Sequence, residues 1–419
     1  MSAPRAFRAP TPILGQEAPL RIPRADTRAL AIPATPAQPE LLLACVGLFI
    51  CTGVLAAIAP ELFRLAKHVF YAAILVVVLL RWRASLQVAL RDLPLCAFVA
   101  LLLSSAFWSE LPIWALKRGA VMLQTTAFGL YLASRFTPAE QLRALSYVMV
   151  ALIASFGASA LLDPATAFSS PGHPGAFRGP LVHKNHVALL MAVAIPALLL
   201  QIWSASRQRW LFLPALAAAC VFLFLSQSLG GILVATMLCS LVVLHGTLGR
   251  RFAGWIALPV LGVVIGAAAA ATGWLDPVLV ALGKDPTLTG RTQIWEESVA
   301  ILATRPWFGH SMVSFWQLDI VARTGIWFSN AHNGYLQLLI DLGLVGLVIF
   351  VFQLLTSLVR SFSFARRRVP AAVWPFVIAA CVLVYNMIEV SVVEENSIVW
   401  VLYVSAGFAV RTPALRRPA

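Results

Sequence analysis

Beginning at Ala331 the chain reads Ala331-His332-Asn333-Gly334-Tyr335-Leu336 and then continues, apolar at almost every position, to Leu358. About 20 such residues are what a helix needs to cross a bilayer. The stretch therefore reads as a transmembrane span with a polar His-Asn pair at its entrance. Composition extends the reading to the whole chain: of 419 residues 60% are hydrophobic and 11% charged, and the mean hydropathy is +0.86. That balance excludes a soluble domain. Comparable runs at 41–59, 65–81, 92–108, 113–133, 143–162, 184–203, 209–226, 229–247, 252–273, 333–358, 371–390 and 395–411 predict an all-α, polytopic integral membrane protein of about 12 transmembrane helices.

An even number of spans puts both termini on one side, and the basic residues say which. Lys and Arg favour cytoplasmic loops. Of the 31 Lys and Arg, 21 fall on the side of the termini and 10 on the other, so both termini are expected in the cytoplasm. In a soluble protein the formal charge of +14 would suggest nucleic acid. Here two thirds of the positive charge is topological and faces anionic lipid, and no nucleic acid is implied. The ten outer cations run against the bias and are the better functional candidates.

Residues 1–40 carry eight prolines and five arginines and read as a disordered basic cytoplasmic tail without the apolar core of a signal peptide. A transmembrane domain over 41–411 follows, and 412–419 forms a second cytoplasmic tail. Two outer connections are longer than a turn requires, 162–183 and the large loop 274–332 between spans nine and ten. Loops of that length are usually functional. The six cysteines all lie in apolar runs without a CxxC pair, and read as small buried hydrophobes. Leu229-Gly230-Gly231 reads as a tight outer turn.

In the large loop, Thr292–Thr304 predicts a short amphipathic helix with Trp295, Val299 and Leu302 on one face, ended by Arg305-Pro306. Arg291 stands at its start with Thr289 placed as N-cap. Guanidinium, free backbone N–H groups and helix dipole together suit a phosphate. The alternative is an interfacial Arg held by Glu296 or by lipid headgroups. His183-Lys184-Asn185-His186 repeats the arrangement at the start of the sixth span, with Arg178 upstream, against the alternative of a snorkelling lysine. His332 offers an imidazole able to take a proton from a hydroxyl; the alternative is a capping Asn333 beside a solvent-facing His. Ser226 and Ser228 flank Gln227 in an outer turn and suit a diphosphate or sugar, or simply the turn backbone. Glu389, Glu394 and Glu395 read as a solvated acidic patch, with a sugar or a basic partner as the alternative. There is no P-loop, no HExxH, no Ser-His-Asp signature and no Asp-x-Asp pair, so neither a metal nor a cofactor is expected.

At this point the chain resembles the O-antigen ligase and polysaccharide polymerase superfamily. The resemblance rests on Gly290-Arg291-Thr292-Gln293-Ile294-Trp295, Arg305-Pro306-Trp307-Phe308-Gly309-His310, His332-Asn333-Gly334-Tyr335-Leu336 and Leu342-Gly343-Leu344-Val345-Gly346. Phe177-Arg178-Gly179 with His183-Lys184-Asn185 looks like the exopolysaccharide polymerase branch. The chain departs from the family in lacking a basic residue at Ser226-Gln227-Ser228-Leu229 and in reading Gly309-His310-Ser311 where Gly-x-Gly is common.

The resemblance implies a bacterial inner-membrane enzyme that moves a glycan from a polyprenyl (undecaprenyl) diphosphate lipid to an acceptor hydroxyl on the periplasmic face. The acceptor would be a glycan or lipid-linked glycan, and proteins of chain-length control and export would be partners. Arg291, Arg178 and Lys184 are then expected at the diphosphate, helped by His183, Asn185, Ser226 and Ser228. His332 would act on the acceptor hydroxyl, oriented by Asn333. Trp295, Trp307 and Trp316 would stack on sugar or, as the better reading, anchor the loop at the interface. A polymerase of repeat units is favoured over a ligase that loads lipid A core in lipopolysaccharide synthesis. A transporter or flippase would also suit twelve spans, but intramembrane charges are few and no paired broken helices are evident. A non-catalytic scaffold for an export complex would leave the Arg, His and Asn of the outer loop unexplained.

Overall fold

The computed structural model describes residues 38–204, 208–248, 291–312, 330–367 and 369–411, with isolated positions between 261 and 277. Thr289, Trp316, most of the expected span 252–273 and nearly all of both expected tails lie outside the described residues; Gln38–Glu40 of the first tail are already helical. Every other expected span coincides with a described helix or helix pair. The first is broken into α1 (Gln38–Ile50) and α2 (Val54–Ile58), because Gly53 adopts a left-handed φ of 78° between them. Then follow α3 (Pro60–Leu80), α4 (Trp82–Ala89), α5 (Leu93–Ser104), α6 (Pro112–Arg135) and α7 (Pro138–Leu162). The starts are legible locally. Proline opens α3, α6 and α7, where its missing N–H costs nothing, and Thr137 with Glu140 forms a capping box on α7.

The connection 162–183 holds a single turn, α8 (Pro164–Ala167), and a minimal hairpin of β1 (Ser169–Ser170) and β2 (His173–Pro174), paired antiparallel. After it come α9 (Lys184–Ser204), α10 (Arg209–Leu225), α11 (Leu229–Leu248), α12 (Arg291–Leu302), α13 (Gly334–Ala365), α14 (Trp374–Tyr385) and α15 (Ile398–Arg411). Among the described residues six helices are long and apolar enough to cross a membrane, or seven if the bent pair α4 and α5 counts as one, and α1, α10 and α15 are shorter apolar helices. The fold is all-α and polytopic. The helix α6 is long enough to span, but Lys117, Arg118 and Gln124 dilute its apolar character.

The core sits around α9, α14 and α15, which are buried along most of their length. A span surrounded by other spans meets no lipid, and its apolar residues are chosen for packing. Leu229-Gly230-Gly231 is the first turn of α11 and not a tight turn. A Cβ on Gly231 would stand 2.5 Å from that of Ala188, so the glycine lets α11 approach α9. The cysteines are all free; Cys51 and Cys381 are buried, Cys45, Cys96 and Cys239 half-buried, and Cys220 is exposed on α10, contrary to the expectation for all six. Asp92 is fully buried at the start of α5; Gln353 donates to it at 3.2 Å, and Arg411 of α15 is ion-paired with it. Two charged residues buried among spans are stable only because each supplies the other's partner.

One feature bears on the site directly. The helix α13 is broken at Gly343, whose φ of 66° and ψ of −167° only glycine adopts readily. The chain at 306–311 enters the break: His310 N–H donates to Ile340 O at 2.7 Å and Ser311 N–H to Asp341 O at 2.8 Å. In return Leu344 N–H donates to Pro306 O at 2.8 Å and Val345 N–H to Trp307 O at 3.1 Å. The backbone groups released by the break are thus paired with protein, as the interior of a bilayer demands. The run expected as one continuous span, 333–358, is thus interrupted: a Cβ on Gly343 would come within 2.3 Å of the Trp307 backbone, and one on Gly309 within 2.5 Å of Ile340 O. The two glycines of the sequence motifs serve one backbone crossing.

Candidate functional site

His332, Asn333 and Gly334 have separate tasks at the start of α13. Asn333 is the N-cap, its side-chain oxygen accepting from Tyr335 N at 3.0 Å and Leu336 N at 3.1 Å. Such a cap satisfies N–H groups that have no partner within the helix. Gly334 N–H donates to Asn386 O at 2.8 Å, and any Cβ there would collide with the Asn386 side chain. His332 takes a left-handed φ of 47°, which turns its ring away from α13 and towards the connection between α14 and α15.

That connection is built on buried Asn386. Its side-chain oxygen accepts from Ser391 N at 3.0 Å and Val392 N at 3.3 Å, and its amide donates to Val382 O and Ser391 Oγ. The loop so formed presents Glu389, whose side chain is only 14% exposed. Three expected site residues converge on this carboxylate. His332 Nδ1 stands 3.0 Å from Oε2, Arg291 Nη2 donates to Oε1 at 2.7 Å, and Asn185 Nδ2 donates to Oε1 at 2.8 Å. Arg291 also donates to Ile388 O, and Ser228 Oγ donates to Asn185 Oδ1 at 3.1 Å.

Several expectations change in consequence. Glu389 is a largely buried hub and not part of a solvated patch, while Glu395 is paired with Arg118 at 3.0 Å. Arg291 is held by Glu389, not by Glu296. The imidazole is oriented by Glu389, since the Asn333 oxygen is committed to the cap. Fully buried Ser226 donates to Leu223 O at 2.6 Å and accepts from Ser228 N; it serves the turn and exposes no hydroxyl. Lys184 is buried with Nζ 3.4 Å from Gln227 O. His183 Nδ1 accepts from Asn185 N at 3.2 Å and its ring meets His173. Arg178 stays within its own loop, donating to Leu181 O at 2.6 Å.

The loop helix α12 is also turned from its expected face. Ile294, Ser298 and Ile301 are buried, with Ile294 and Ile301 packing on Ala331 and Ile340, whereas Val299 is 59% exposed. The spacing i, i+4, i+7 was right and its phase off by one, because docking against α13 selected the isoleucines. Trp295 is half-buried, donating from its indole to Ala331 O at 3.0 Å. Trp307 is exposed.

Electrostatics divides the acidic residues. Burial alone would raise the carboxyl of Glu389, but the hydrogen bond from His332, the Arg291 guanidinium and the Asn185 amide outweigh it and hold it at about 2. Glu394, half-buried, is driven the other way, to about 7, by burial and then by the Glu389 charge, with Arg118 opposing. Five residues apart, one carboxyl is a permanent anion and the other exchanges a proton near neutrality. Burial lowers His183 to about 4, with the neighbouring cationic groups adding and Glu389 opposing, so His183 is a neutral imidazole. Gln227, His332, Val393 and Asn396 all have left-handed φ on the connections around Glu389, and for β-branched Val393 this is an outlier. Strain of that kind collects at functional sites. Among the described residues no group of three or more His, Cys, Asp or Glu is placed to hold a metal ion.

Sequence reasoning had singled out Arg291, His332 and Asn185 as site residues and had placed Glu389, the carboxylate that joins them, in a solvated acidic patch. Glu389 lies 57 residues beyond His332 in a segment without motif character, and only its place between two apolar helices set it apart.

Residues 214–351 match the O-antigen ligase family, Wzy_C. The chain is 27% identical over 180 residues to the exopolysaccharide production protein ExoQ of Rhizobium meliloti (strain 1021), covering 39% of this chain and 40% of that protein. Both bear out the resemblance to the O-antigen ligase and polysaccharide polymerase superfamily.

Proposed function

With that resemblance as premise, we propose that the chain transfers a glycan from a polyprenyl-diphosphate donor to an acceptor hydroxyl on the periplasmic face of the bacterial inner membrane, polymerising repeat units. The observation that carries the proposal is the junction of His332 and Arg291 on the single carboxylate of Glu389. With Nδ1 directed at Glu389, Nε2 is the ring nitrogen left to take the acceptor proton, and the carboxylate stabilises the imidazolium that forms. The acceptor oxygen bonds to the anomeric carbon as the bond from that carbon to the diphosphate oxygen breaks, and the electron pair leaves on the diphosphate. The Arg291 side chain is 20% exposed, and the N–H groups not committed to Glu389 and Ile388 are proposed to meet that charge. Buried Lys184 and the start of α9 add to it.

The polymerase reading is supported by the His183-Lys184-Asn185 and Gly290–Trp295 motifs. The ligase reading predicts a different phenotype: cells lacking the protein would accumulate long chains on the polyprenyl carrier, where a missing polymerase leaves single repeat units. The direct test measures donor binding and single-turnover transfer on one set of variants. Arg291→Lys keeps the charge but loses the planar fork and slows transfer; Arg291→Ala also weakens donor binding; His332→Ala binds donor and fails to transfer. Wild-type transfer by His332→Ala would refute the assignment.

A further inference from the structure

The segment between α3 and α5 takes no part in the site and has its own physical character. The helix α4 makes an angle of 102° with the helix that follows it, so it lies across α5 and not along it. Ser85 and Val88 are buried, where α4 packs on α6. Beside that buried face runs an uncovered apolar stripe: Trp82, Leu86 and Leu90, at i, i+4 and i+8, are 55%, 47% and 54% exposed. Arg81 and Arg83 are exposed at its start and Arg91 closes the turn after it. The Arg83 guanidinium sits over the Trp82 ring, 5.4 Å from the centroid.

The charge is unbalanced locally. Residues 81–91 contain three arginines and no acid. The next carboxylate, Asp92, is fully buried and turned to Gln353 and Arg411. Glu40, on α1, is held by both Nη2 contacts of Arg135 at 2.5 and 2.6 Å. A helix set across α5, with an exposed apolar stripe flanked by arginine and an aromatic ring, has the build of an interfacial amphipathic helix. Its complement is a surface that is apolar below and negative above.

We infer that α4 is a membrane-surface helix that seats Trp82, Leu86 and Leu90 in the headgroup boundary and uses Arg81, Arg83 and Arg91 to gather anionic phospholipid. The inference is independent of the glycan chemistry. Basic residues at an anionic surface attract it strongly enough to enrich the local lipid about fivefold per residue at most. The probe is a fluorescent donor at Gln87→Cys, an exposed position, in a Cys220→Ser background, with the full chain in nanodiscs of phosphatidylcholine and phosphatidylglycerol. Energy transfer to a labelled phosphatidylglycerol should exceed that to a labelled phosphatidylcholine severalfold. The triple variant Arg81→Gln, Arg83→Gln, Arg91→Gln should bring the two to parity, and the triple lysine variant should keep the excess. A label at Leu86→Cys should be quenched by lipids carrying a nitroxide near the headgroup and shielded from aqueous iodide. Equal transfer to both lipids in the parent protein would overturn the proposal. So would an excess that survives the triple Gln variant, or free quenching of the Leu86 label by iodide, which would leave the stripe to an acidic protein partner.

Discussion

Replacing Glu389 with Gln tests the site at its centre. Gln keeps the shape but removes the charge, and it presents an NH2 where one carboxylate oxygen stood, facing donors from Arg291 and Asn185. The hydrogen bonds from Arg291 at 2.7 Å and Asn185 at 2.8 Å then lose their acceptor, and the one from His332 at 3.0 Å loses its charge assistance. Each is worth about 1.5–3 kcal/mol when its partner is left without an acceptor. Partial solvent access to His332 and Arg291 offsets some of that, and a loss of about 3 kcal/mol is expected, or about 100-fold in rate. Donor affinity should not fall, because Arg291 released from its carboxylate meets the diphosphate at least as readily. Glu389→Asp, one methylene short but still charged, should lose only about tenfold. The assay is single-turnover transfer from a polyprenyl-diphosphate glycan by purified protein, with donor binding and Tm on the same samples. If Glu389→Gln transfers within threefold of the parent at an unchanged Tm, while His332→Ala is inactive, the carboxylate does not set the imidazole and the reasoning fails.

Gly343→Ala should destabilise by on the order of 3 kcal/mol or prevent folding, because a left-handed φ and a Cβ 2.3 Å from the Trp307 backbone cannot both be relieved; Gly157→Ala, with nothing within 4 Å, should leave the detergent Tm unchanged. Stability should depend on pH with opposite signs at the two carboxyls. Glu389, lowered from 4.5 to about 2, stabilises above pH 4.5, and that contribution is lost as pH falls towards 2. Glu394, raised from 4.5 to about 7, makes stability fall as pH rises from 4.5 to 7, so Glu394→Gln should flatten a melting profile across that window. Transfer should persist in EDTA, and an activity abolished by chelation and restored by magnesium or manganese would mean that a divalent ion stabilises the leaving group.

Sequence alone determined the membrane class and the approximate position of the described spans, and it supplied candidate site residues. Bilayer thickness sets the length of an apolar run, and little tertiary information is needed to read it. Arg291, Asn185 and His332 were legible as candidates because polar side chains at the ends of apolar helices are expensive to keep. What brought them together was decided only in three dimensions. Glu389 meets residues 57, 98 and 204 positions away in the chain, and local periodicity carries no signal over such distances. The phase of α12 shows the same limit. A sequence with apolar residues at Ile294, Trp295, Val299, Ile301 and Leu302 supports two adjacent faces, and the one that α13 accepts is chosen by shape. The break at Gly343 was hidden inside an apolar run that reads as continuous, because the partner completing its hydrogen bonds is the 306–311 backbone, and backbone groups are identical at every residue.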